Sequence, residues 1–137
     1  MSAIISIKLL KDSNGTYAID VHPTTLLVSP NDDTDDQFVT MAFDLIPDVP
    51  PPNQAKAVVT FSNTPFSEEN GVNHTVLPGG PAIFAALRQD SVGNSEESQA
   101  LYKYTITVTT PEGTELPPLD PQVMVRRRRV NRRYYDL

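Results

Sequence analysis

At 137 residues and 39% hydrophobic content, the chain fits one globular domain with a core of its own. Its 13 prolines argue against long helices, because proline lacks a backbone donor and clashes with the preceding turn. Its lack of cysteine excludes disulfides, thiolate metal sites and a cysteine nucleophile.

The net charge of −6 is unevenly divided. Residues 1–125 hold five basic and sixteen acidic side chains, a net of −11, whereas the last twelve residues hold six arginines and Asp136, a net of +5. Such a division between body and end marks the end as an interaction segment.

The first stretch, "IISIKLLK", alternates, with Ile5, Ile7 and Leu9 on one face. "DSNGT" follows, and Asn14-Gly15 tolerates the positive φ of a tight turn. "TYAIDVH" returns with Tyr17, Ile19 and Val21 on one face, so the two runs predict an antiparallel pair. No basic region precedes the first apolar residues and Lys8 interrupts them, so the start reads as structure rather than a signal peptide, which implies a cytoplasmic protein. No apolar run approaches the roughly 18 residues of a membrane helix.

"PTTLLVSP" predicts a short strand bracketed by prolines, and "NDDTDD" an acidic loop. "QFVTMAFDLI" puts Val39, Met41, Phe43 and Leu45 on one face. After the stiff connection "PDVPPPNQ", "AKAVVTFS" does the same with Ala57, Val59 and Phe61. Residues 63–98 read as loops around a short strand at His74–Leu77, with "LPGG" a turn; "PAIFAALRQDS" fits either one helical turn or a strand. "LYKYTITVTT" is the strongest strand, with Tyr102, Tyr104, Ile106 and Val108 inward and Lys103, Thr105, Thr107 and Thr109 outward. "QVMV" begins the last strand. The expected fold is all-β: a single-domain, two-sheet antiparallel β-sandwich over residues 1–125, with a basic extension over 126–137, and a small barrel as the alternative.

Three pieces, "HPTTLLVSP", "AVVTFSNTPF" and "LYKYTITVTTPEGTELPPLDPQVMV", together resemble small bacterial sandwich domains of cupredoxin-like or immunoglobulin-like type. The resemblance covers residues 22–125 and implies the fold more than an activity. It does not extend to copper. A blue-copper centre needs two histidines and a cysteine thiolate, and here His22 and His74 are the only histidines and cysteine is lacking.

Catalytic patterns are few. No Gly-x-Ser-x-Gly elbow accompanies the histidines, and "LPGGP" lacks the lysine of a phosphate loop. Glu68-Glu69 and Glu96-Glu97 are adjacent acids in polar loops, without the facing geometry that glycosidases need. Asp32, Asp33, Asp35 and Asp36 are the carboxylates from which a calcium site would be built, but their loop lacks the glycine and distal glutamate of an EF-hand. The expectation is a protein that is not an enzyme and holds no cofactor.

The contact element expected is Arg126, Arg127, Arg128, Arg129, Arg132 and Arg133 with Tyr134 and Tyr135. A core-facing Arg127 is costly unless paired, so the buried part of the last strand should end near Val125 or Arg126. Arginine and tyrosine suit an acidic protein surface, whether on a partner or on a second copy. They also suit phosphates and bases, but the acidic body repels a polyanion, which favours protein over nucleic acid. The function expected is an interaction or structural module, an accessory subunit of a bacterial complex that makes contact through this segment. A virion or other assembly component and a nucleic-acid-binding accessory protein are the alternatives.

Overall fold

The computed structural model describes residues 3–29, 39–46, 55–66, 73–84, 87–93 and 98–126. The expected all-β sandwich is what they form. One sheet holds β1 (Ala3–Lys11), β2 (Tyr17–His22), β4 (Val39–Ile46) and β7 (Ala82–Phe84), in the order β2-β1-β4-β7. The other holds β3 (Thr25–Val28), β5 (Lys56–Phe61), β6 (Asn73–Val76), β8 (Gln99–Thr109) and β9 (Gln122–Arg126), in the order β3-β9-β8-β5-β6.

The β1–β2 hairpin forms where Asn14-Gly15 predicts it. The Asp12 carboxylate accepts the backbone N–H groups of Asn14 (2.9 Å) and Thr16 (2.8 Å), and Gly15 takes φ +83°. After β2 the chain crosses to the second sheet for β3, then returns to the first for β4. It therefore arrives beside β1 running in the same direction. The ladders are mainly antiparallel, but each sheet contains one parallel pairing, β1 with β4 and β3 with β9. A parallel neighbour requires such a crossover, whereas a hairpin gives an antiparallel one.

Alternation sorts the side chains as expected. Ile5, Ile7 and Leu9, Val39, Met41 and Phe43, Ala57, Val59 and Phe61, Tyr104, Ile106 and Val108, and Val123 and Val125 are all buried between the sheets. Each large apolar side chain so buried contributes about 1.5–3 kcal/mol. At one end of the core the Phe61 ring stacks on Tyr104 (centroids 4.9 Å apart) and meets Phe66 and Phe84 edge-on at 5.8 and 6.0 Å.

In the ambiguous middle segment, "PAIFAALRQDS" is first a strand, β7, and then a single 3-10 turn, Gln89–Ser91. This region is fastened to its surroundings by polar contacts. The Arg88 guanidinium donates to the Thr64 carbonyl (2.6 Å) and pairs with Asp90 (2.9 Å), while the Tyr102 hydroxyl donates to the Ser91 carbonyl (2.6 Å).

Between β8 and β9 the chain turns at Thr110–Thr114, with Gly113 at φ +90°, and runs back along β8. Leu119 and Ile106 exchange two backbone bonds, and Leu116 N–H donates to Val108. Pro117, Pro118 and Pro121 offer no donors, so regular pairing resumes only at Gln122. No helix among the described residues is long and apolar enough to cross a membrane.

Candidate interaction face

β9 is the strand that leads into the arginine segment, and its alternation is strict. Val123 and Val125 are wholly buried, while Gln122, Met124 and Arg126 point outward. Val125 is the last buried residue of the described strand, and Arg126, the next position, is exposed on the outward side of the alternation; Arg127, the next inward position, lies outside the described residues. Arg127, Arg128, Arg129, Arg132, Arg133, Tyr134 and Tyr135 lie outside the described residues, as do Asp32, Asp33, Asp35 and Asp36 and the paired acids Glu68-Glu69 and Glu96-Glu97.

Register builds the face around β9. Met124 lies opposite Leu27 of β3 and opposite Leu101 of β8, so three apolar side chains form one row across three strands on the outer surface of the sheet. Leu27 is 54% exposed and Leu101 47%, while Met124 is half-buried between them. One step along the strands in one direction lies the pair Arg126–Gln99, and one step in the other lies the row Thr25–Gln122–Lys103. The Gln122 side-chain amide donates to the Thr25 hydroxyl (2.8 Å) and helps to fix the parallel β3–β9 register. Among these eight positions two carry positive charge and none carries negative charge, in a body that is otherwise acidic.

The row could not be read from the chain, because it needs the β3–β9 and β8–β9 pairings. Its local trace is nevertheless visible. In "TLLV", "LYKY" and "QVMV" one solvent-facing position of the alternation holds Leu27, Leu101 and Met124, respectively.

Further along the same outer surface, an open groove of about 630 Å³ is lined by Lys56, Val58, Thr107, Thr109, Gly113 and Glu115. It brings together one ammonium, one carboxylate and two hydroxyls. His22 and His74 lie on edge strands of different sheets, and the His74 ring packs on Phe84 with centroids 5.1 Å apart. Among the described residues no group of three or more His, Asp or Glu side chains is placed to hold a metal ion.

Two polar groups are shifted where the sheets meet at the turns. Tyr17 donates to Glu112, which holds the Glu112 carboxyl below its ordinary range and raises the Tyr17 phenol. Burial raises the phenol of Tyr104, whose oxygen has no hydrogen-bond partner among the described residues. Both tyrosines have structural surroundings: an exposed turn contact in one case, the aromatic core in the other.

No protein-family model and no curated protein sequence matches the chain.

Proposed function

We propose that this protein is a non-enzymatic interaction module, an accessory subunit of a bacterial protein complex, that meets its partner through the basic segment beginning at Arg126. Residues 1–125 act as its rigid support, a sandwich of the cupredoxin-like or immunoglobulin-like kind suggested by the resemblance. The observation that carries this reading is the row Leu27–Met124–Leu101, which lies one residue pair from Arg126 on the same outer surface. Apolar side chains left half in water gain about 25 cal/mol for each Å² that a partner covers. Arginines at the margin supply orientation and specificity by pairing with carboxylates. Protein interfaces typically have such an arrangement, an apolar centre beside arginine and tyrosine.

The test is affinity capture with cross-linking, using wild type, a variant with Arg126–Arg129 changed to Ser, and Leu101→Ser. The expected result is one partner retained by wild type and lost by both variants. A partner set unchanged by either variant would overturn the reading.

A further inference from the structure

We infer that the partner of the Leu27–Met124–Leu101 face is a second copy of this chain, presenting the outer face of its β2-β1-β4-β7 sheet. This rests on the proposal that the row is an interaction face and names what covers it.

The receiving face is also fixed by register. Leu10 of β1 lies opposite Ala18 of β2 and Ile46 of β4, giving an apolar row across three strands. Ile46 is 44% exposed, Ala18 is exposed and Leu10 is half-buried. One step along the strands, Lys8 lies opposite both Asp20 and Asp44, so the next row carries two carboxylates for one ammonium. Asp20 and Asp44 are exposed and Lys8 is half-buried.

The two faces share a plan and have opposite charge. Each has an apolar row spanning three strands, about 10 Å wide at normal strand spacing. Each has a charged row one outward residue away, at about 6.7 Å along the strand. On the β3-β9-β8 face the flanking charges are Arg126 and Lys103, and on the β2-β1-β4 face the excess charge is that of Asp20 and Asp44. With the apolar rows superposed, a carboxylate row of one copy falls beside a cationic row of the next. The same approach between two copies of either face sets like charges against each other, which opposes self-pairing.

The two faces are the opposite outer surfaces of one sandwich. A contact that joins one to the other is therefore heterologous. It leaves a free face at each end, and copies add in series unless the rotation closes a ring.

Sedimentation velocity of the full chain tests this. Wild type should show mass rising with concentration beyond a dimer and falling at high salt. Leu101→Glu blocks one face by setting a carboxylate into the apolar contact beside the Asp20 and Asp44 row, and Ile46→Lys blocks the other by setting an ammonium into it beside Arg126 and Lys103. Each substitution is at an exposed strand position, and circular dichroism checks that the fold is retained. Each variant alone should be monomeric, its association weakened at least about a hundredfold, the scale of like charges forced together. Their equimolar mixture should associate, because each retains the face that the other lacks and the two altered faces carry opposite charges. Wild type that stays monomeric at every concentration overturns the inference, while leaving a different protein as the captured partner of the row. Association that persists in both folded variants, or a mixture that stays monomeric although wild type assembles, also overturns it.

Discussion

The hydroxyl of Tyr17 donates a 2.6 Å hydrogen bond to the carboxylate of Glu112, joining the edge strand β2 of one sheet to the β8–β9 turn of the other. The Lys11 ammonium lies over the same ring, 5.2 Å from its centroid. The bond from Tyr17 holds the Glu112 carboxyl below its ordinary value, so the folded state favours the charged form. A depressed carboxyl contributes stability above its unfolded pKa, and that contribution is lost as pH falls through the folded one. The raised phenol of Tyr17 acts in the opposite direction, contributing below its ordinary value and losing that contribution as pH rises through the folded one. The contact should therefore favour folding between the acid and alkaline limits. Tyr17→Phe should lower the melting temperature slightly at about pH 7, with the difference shrinking as the pH falls below the ordinary carboxylate range and Glu112 takes up its proton. Thermal melts of both proteins across pH check this; a gap that widens in acid contradicts the assignment.

Phe61 is the hub of the aromatic end of the core, touching Tyr104, Phe66 and Phe84. Phe61→Ala removes contacts with all three and opens a cavity between the sheets. A loss of about 3–5 kcal/mol is expected. That is a large share of the roughly 5–15 kcal/mol that holds a domain of this kind together. The shift of the urea midpoint measures it, and Phe61→Leu, which keeps most of the volume, should cost clearly less.

Two neighbouring tyrosines on β8 should respond oppositely to loss of their hydroxyls. The Tyr102 hydroxyl donates to the Ser91 carbonyl at 2.6 Å, and it helps to hold the 3-10 turn against the sheet. Tyr102→Phe removes that bond and should cost about 1–2 kcal/mol. The Tyr104 hydroxyl is buried and has no partner among the described residues. Tyr104→Phe keeps the stack on Phe61 and relieves the desolvated oxygen, so it should be neutral or stabilising by up to about 1 kcal/mol. Urea unfolding of the two variants side by side gives the order; a Tyr104→Phe loss equal to that of Tyr102→Phe contradicts it.

The legible and illegible parts of this protein divide by sequence range. Period-two alternation identified the inward faces of β1, β4, β5 and β8, because one buried face dictates every second residue. Asn14-Gly15 identified a hairpin because its two strands are adjacent in the chain. The parallel pairings of β1 with β4 and β3 with β9 left no such mark, since each joins strands separated by an excursion to the other sheet. The bond between Tyr17 and Glu112 spans 95 residues and joins two ordinary polar side chains. The Leu27–Met124–Leu101 row was hidden for the same reason: each residue alone is an ordinary outward-facing apolar side chain, and only the register makes them a patch. The outward position of Arg126 was legible because the alternation that buries Val123 and Val125 places it on the other face.

The charge division also gives an expectation for nucleic acid. Six arginines engaging phosphates on duplex DNA would release counterions and give a slope of log Kobs against log salt of about −5. They are carried by residues 126–137, attached to a body of net −11, and the described face beside them offers Leu27, Met124 and Leu101 rather than an aromatic platform for bases. Binding to duplex or single strands should therefore be absent at physiological salt. Any binding at low salt should disappear when Arg126–Arg129 become Ser and be indifferent to Leu101→Ser, whereas capture of the protein partner should be lost in both. Filter binding across salt, run with the same variants as the capture experiment, makes the comparison. Retention at physiological salt with the steep slope would move the arginines from a protein contact to a phosphate contact.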